Sequence, residues 1–226
     1  MDRVSQCCLC SQIAGDREND LIATLLGAEP YVRRIAFESI HFAALPSLGP
    51  LTEGHFLLCT KAHYKSFACI PTTLDKEFLE TKRNLSAVLL SEFGPPVHIF
   101  EHGAPRQGPK VLCTVDHAHL HLVPAAVDVW PLLQAAGIDW RALGATRGDL
   151  RNRVADREYL YYESPEGRAV VATSKGEGFE SQLLRRVFAR ALGKSHDWDW
   201  RSDPRPANAD AAFERVRTSF PATRDD

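Results

Sequence analysis

Three of the chain's nine histidines fall at alternate positions of residues 116–124, DHAHLHLVP: His117, His119 and His121. Side chains alternate across a strand, so these three share one face while Ala118, Leu120 and Leu122 share the other. One histidine on a strand is ordinarily a polar residue satisfied by its neighbours. Three on one face need water, a ligand or each other, and two chemistries suit them. Neutral imidazole is a good zinc ligand. It is also a nucleophile: with an unperturbed pKa of about 6.5, much of it is neutral at pH 7. A phosphoryl or nucleotidyl group can sit on one ring nitrogen while a hydrogen bond fixes the tautomer through the other. A second group of soft ligands opens the chain. Cys7 and Cys10 are a Cys-x-x-Cys pair, which in a reducing compartment reads as a metal or redox pair, or as two small buried hydrophobes. With cysteines at 7, 8, 10, 59, 69 and 113, the spacing is not that of a disulfide framework.

The elements that must position these residues follow from periodicity and punctuation. Residues 34–38, 40–45 and 55–60 read as strands, with a turn at 46–50 (PSLGP). Thr72 and Asp75 form an N-capping pattern for the longest helix, which puts Leu74, Phe78, Leu85 and Leu89 on one face and stops at Gly94 before two prolines. Residues 97–100 resume as a strand, 103–110 form a loop, and 111–123 form the histidine-bearing strand. Beyond it come a short helix at 130–136 with Pro131 in its first turn, and a hairpin of 159–163 with 168–173 around Ser164–Gly167. An amphipathic helix follows at 179–192, then an ordered loop at 196–207 and a last helix at 209–218, with a frayed end at 221–226. The aperiodic stretch 124–156 is the expected domain boundary.

Composition narrows the function classes. The formal net charge of −2 gives no bulk attraction to nucleic acid or acidic membranes. No apolar run approaches the roughly 18 residues of a membrane span, and MDRVSQCCLC has no apolar signal region. The expectation is a cytoplasmic protein with neither nucleic-acid nor membrane partners.

The motif HAHLHLV resembles the signature of the histidine triad (HIT) superfamily, His-φ-His-φ-His-φ-φ with φ apolar. Other landmarks resemble it in the same order: Cys7-x-x-Cys10 before Ile13-Ala14-Gly15, then Pro50-Leu51-Thr52-Glu53-Gly54-His55, then Lys61-Ala62-His63, then Glu101-His102-Gly103. The resemblance spans residues 7–125. It implies an α+β fold with a HIT-like antiparallel sheet and packed helices over residues 1–125. Residues 126–226 would form a smaller α/β C-terminal extension, of hairpin and helices, packing on that core. It further implies a nucleotide hydrolase or nucleotidyltransferase that attacks the α-phosphorus with His119 and forms a nucleotidyl-histidine. His121 would bind a phosphate oxygen, His55 would help hold His119 in its reactive tautomer, and Thr114 would contact phosphate. In zinc-containing members the ligands correspond to Cys7, Cys10, His63 and His117, a Cys₂His₂ set suited to structural zinc. Homodimers are frequent in the family.

The chain departs from the family pattern in places. Leu112-Cys113-Thr114 stands where many members have Gly-Gln-Ser, Ser47 where an acidic residue meets the ribose, and Asp116 directly before the triad is a candidate for ribose or histidine contact. The 179–192 helix carries Gln182, Arg185 and Arg186; Gln182 and Arg186 are taken as substrate contacts, one arginine reaching over the site to a phosphate. A solvated helix face is the plainer reading, and Trp198 and Trp200 either stack on a base or pack the extension. Two other functions fit the residues: a zinc-dependent hydrolase with the histidines as catalytic ligands, and a nucleotide-binding module without turnover.

Overall fold

The computed structural model describes residues 7–27, 29–104, 115–144, 147–176 and 178–220. Thr114 and Cys113, singled out above, lie outside the described residues.

In chain order the elements are α1 (Cys8–Ala14), α2 (Leu21–Leu26), β1 (Phe37–Glu38), β2 (Phe42–Pro46), β3 (Phe56–Thr60), α3 (Asp75–Phe93), β4 (Val97–Gly103), β5 (His119–Pro124), α4 (Trp130–Ala135), β6 (Arg141–Ala142), α5 (Arg147–Val154), β7 (Tyr159–Glu163), β8 (Ala169–Thr173), α6 (Leu183–Ala191) and α7 (Pro206–Val216). The fold is α+β. Among the described residues eight strands form one antiparallel sheet in the order β1-β2-β3-β5-β4-β7-β8-β6. Strand β7 pairs with the outer edge of β4 from Ile99↔Glu163 to Gly103↔Tyr159, so the sheet continues from the first half of the chain into the second.

Both faces of the sheet are apolar and covered. On one, Phe42, Phe56, Leu58, Leu120 and Leu122 pack against Leu85 and Leu89 of α3 and Phe213 and Val216 of α7. Each such fully buried Leu or Phe contributes about 1.5–3 kcal/mol. On the other, Phe100 and Val123 meet Leu133 of α4 and Leu184 and Phe188 of α6. Alternation along β5 puts Leu120 and Leu122 in the first layer and leaves His119 and His121 half-buried on the second.

Several elements differ from the sequence reading. Ile40 begins no strand: the Ser39 N–H donates to the Phe42 carbonyl, and Ile40 is 80% exposed at the tip of the β1–β2 turn. Strand β5 starts at His119 because the Ala118 N–H leaves the ladder for the Tyr64 carbonyl, 2.6 Å away. Helix α6 begins at Leu183 because Gln182 sits at φ 57°, outside helical space. The short helices α1, α2 and α5 and strand β6 carry too few residues for a clear period. Among the described residues no helix is long and apolar enough to cross a membrane.

Candidate active site and metal centre

Helix α1 with its N-cap carries two members of a ligand cluster; the other two are His63, just after β3, and His117, just ahead of β5. Cys7, at the α1 N-cap, places Sγ 3.5 Å from His117 Nδ1; Cys10 Sγ lies 3.3 Å from the same nitrogen and 3.2 Å from His63 Nδ1. The four ligand atoms lie within 4.8 Å of one another. Around a tetrahedral zinc, bonds of about 2.3 Å to sulfur and about 2.0 Å to nitrogen put S and N about 3.5 Å apart, so the spacing fits. His117 is prepared for the role. Its Nε2 lies 2.7 Å from the Thr60 carbonyl, to which only a protonated nitrogen can donate, so the neutral ring turns its Nδ1 lone pair to the thiols. Burial, reinforced by Cys7, pushes the Cys10 thiol up to about 12. Burial likewise brings His117 down to about 4, which keeps it neutral. A bound divalent cation reverses the thiol shift by stabilising thiolate. The cluster is compatible with zinc.

Two residues along, His119 has the opposite tautomer. Its Nδ1 lies 2.6 Å from the His117 carbonyl and must donate, which leaves the lone pair on Nε2. His121 is set by a relay. The Leu51 N–H donates to His55 Nδ1 at 3.2 Å, so His55 donates from Nε2 to His121 Nδ1 at 2.9 Å, and His121 carries its own proton on Nε2. The sequence reading assigned His55 to hold His119; the structure bonds it to His121, because residues 119 and 121 pair with different positions of β3 (Cys59 and Leu57). Among the described residues nothing bonds Nε2 of His119 or of His121, and both rings line one cavity. One offers an acceptor lone pair there and its neighbour a donor N–H. Burial lowers both basicities, with Arg185 adding to the effect, so the two rings stay neutral at pH 7.

The cavity is floored by β2, β3, β4 and β5, walled by α1 and α2, and roofed from the second half of the chain. The roof differs from expectation in one residue. Arg186 stacks its guanidinium on the Trp198 ring at 3.4 Å and pairs with Glu180, away from the cavity. Arg185 lines the cavity instead, on the buried side of α6 with Leu184 and Phe188. Arg185 is 4% exposed and spends two donors on the Trp198 and Gly49 carbonyls. No carboxylate within 4.0 Å pairs it among the described residues. Burial, with Arg205 adding and Asp199 opposing, brings it down to about 10, so it is still a cation at pH 7. Gly49 lets the roof close: at φ 53° its absent Cβ would meet Trp200 Cα at 2.6 Å.

Of the other expected contacts, Ser47 and Gln182 line the cavity. Asp116 does not; its carboxylate lies 4.0 Å from Lys65 Nζ. Gln12 and His102 line it without having been expected there, and Trp200, offered as a base-stacking or packing residue, lines it too. Nothing in the sequence around Gln12 marks it. The three triad histidines do not converge as one ligand set, since the described cluster of candidate ligands takes only His117 from the row.

No family model matches the sequence, and no curated protein matches it. Solved structures do. A member of the HIT family of proteins from Bacillus subtilis is 22% identical over 52% of this chain and 72% of its own, with a TM-score of 0.39. A zinc-bound histidine triad family protein from Mycobacterium smegmatis is 20% identical over 54% and 76%, with a TM-score of 0.38. A histidine triad protein from Clostridium difficile is 20% identical over 55% and 94%, with a TM-score of 0.37. The chain is similar to histidine triad proteins over about half of its length.

Proposed function

We propose that the chain is a nucleotide hydrolase or nucleotidyltransferase that works through a covalent intermediate on His119. The observation that carries this reading is the tautomer of His119: its Nδ1–H is held by the His117 carbonyl, and Nε2 is left with a lone pair at a cavity. That lone pair forms an N–P bond to the α-phosphorus of a bound nucleotide as the bond from phosphorus to the leaving group breaks. Water or another acceptor then attacks phosphorus, the N–P bond breaks, and His119 returns to its starting state. His121 donates its Nε2–H to a phosphoryl oxygen. Arg185 supplies the positive charge: a buried cation without a carboxylate partner suits an anion arriving with the ligand. Such preset donors act on charge that develops in the transition state. In this reading residues 126–226 extend a core formed by residues 1–125 and supply the cavity's roof at Gln182, Leu184, Arg185 and Trp200, and Gln182 and Ser47 contact the substrate.

Cys7, Cys10, His63 and His117 hold a structural zinc in this reading. With a zinc bound there, Cys7 and Cys10 would tie α1 to His117, whose carbonyl fixes His119. His117 is then a ligand rather than part of the reacting pair, which disfavours the zinc-hydrolase alternative.

Incubation with a dinucleoside polyphosphate, a nucleotide sugar and a nucleoside phosphoramidate, with identification of products, tests the proposal. Wild type is expected to release or transfer the nucleoside monophosphoryl group from at least one of them. His119→Ala should lower that turnover by about 10³-fold or more, the scale on which catalytic residues are lost. Turnover retained by His119→Ala contradicts the proposal.

A further inference from the structure

Two side-chain amides lining the cavity have an atom with no partner among the described residues. Gln182 is 7% exposed and Gln12 5% exposed. Gln182 Nε2 donates to Asp199 Oδ1 at 3.2 Å, which fixes the amide's orientation and leaves Oε1 without a hydrogen bond. Gln12 Nε2 is likewise buried without an acceptor. A buried polar atom left unpaired is destabilising, and the two line one cavity, from α1 and from the start of α6. Gln182 bears a second cost. It is a non-glycine residue at φ 57°, a conformation that persists only where the surroundings enforce it and that clusters at ligand sites. Arg205, which packs close enough to lower the Arg185 basicity, is another of the three described non-glycine residues at positive φ.

The surroundings of the amides say what kind of ligand would satisfy them. Leu9 lies one turn from Gln12 on the same helix face, and Leu21, Ile22, Leu48 and Trp200 complete an apolar lining. Gln182 lies one turn from Arg185. A ligand that fits is anionic where it meets Arg185 and the histidines and otherwise apolar. It also offers one hydrogen-bond donor and one acceptor. A nucleobase has that chemistry; a sugar offers the hydroxyls without the apolar face. We infer that Gln182 and Gln12 read the base of the nucleotide, Gln182 Oε1 accepting from a base N–H and Gln12 Nε2 donating to a base nitrogen or oxygen. The inference rests on the nucleotide reading of the site, and it gives the second half of the chain a specificity role through Gln182.

The test is equilibrium binding to the full, zinc-loaded chain. The probes are AMP, GMP, CMP and UMP, with ribose 5-phosphate and inorganic phosphate as base-free arms. Wild type is expected to prefer at least one nucleotide over ribose 5-phosphate by about tenfold or more. Gln182→Met and Gln12→Met, which keep length and remove the polar atoms, should each weaken that nucleotide about tenfold and ribose 5-phosphate less than about twofold. Melting curves report folding, and either variant alone suffices should the other not fold. Equal losses for nucleotide and ribose 5-phosphate would assign the amides to the sugar or the scaffold and overturn the inference. So would unchanged nucleotide affinity, or a wild type that does not distinguish base-bearing from base-free probes. Covalent labelling of His119 in the same preparations separates the two claims. Label on His119 without an amide effect sinks only the base reading; an amide effect without label sinks only the covalent chemistry.

Discussion

His117 and His119 stand two residues apart, yet their rings are wired in opposite senses. His117 donates from Nε2 to the Thr60 carbonyl and turns Nδ1 to two thiols; His119 donates from Nδ1 to the His117 carbonyl and keeps Nε2 for the cavity. Residue type is the same and burial lowers the basicity of both. What differs is which ring nitrogen a carbonyl has claimed. One hydrogen bond therefore decides whether an imidazole in this row is a metal ligand or a candidate nucleophile.

The comparison can be broken at either end. At the His117 end, Cys10→Ser removes one soft ligand. It is expected to abolish stoichiometric zinc and to cost several kcal/mol of stability, since structural zinc contributes on the order of 10 kcal/mol of apparent binding energy. Metal analysis and thermal melts with and without chelator check this; unchanged zinc content would remove the metal assignment. At the His119 end, Arg185→Gln takes away the cavity's buried cation. Affinity for phosphate-bearing ligands should fall about ten- to hundredfold, the worth of a charge-assisted contact, while zinc content stays at wild-type level. Loss of zinc in this variant would mean that the two ends are not separate devices.

A smaller effect sharpens the contrast through pH. Burial holds His55, His98 and His121 neutral in the folded state, below the ordinary value of about 6.5. The unfolded chain therefore binds more protons as pH falls below that value. Stability present above it is lost on acidification, at up to about 1.4 kcal/mol per pH unit for each group. Denaturant midpoints between pH 7.5 and pH 5.5, measured in about equal ionic strength, should fall accordingly; a flat profile would mean that these rings are protonated in the fold.

Much of this arrangement was legible in the sequence, for physical reasons that can be named. Period-two alternation placed Leu120 and Leu122 in the core and the histidines on the other face, and Gly167 with its neighbours marked the β7–β8 hairpin, whose second strand starts at Ala169, one residue later than read. The resemblance to histidine triad proteins singled out Cys7, Cys10, His63 and His117, which the fold brings together across as many as 110 positions. Other features depend on tertiary contacts that no local pattern encodes. The His55–His121 bond follows from strand register. The choice of Arg185 over Arg186 follows from which side of α6 is buried. Gln12 lies in a helix of seven residues, too short for a period to show its inward face. The pairing of β7 with β4, which carries the sheet into the second half, joins residues some 60 apart and is invisible to any local window.

The most direct test of the central claim is intact-mass and peptide analysis of the chain quenched in mild base during turnover of an α-labelled nucleotide donor. The expected result is one nucleoside monophosphoryl group per chain, mapped to His119, absent from His119→Ala and present in His121→Asn at a reduced level. A chain that turns the donor over while His119 never carries the group, or that carries it on His121, would contradict the account.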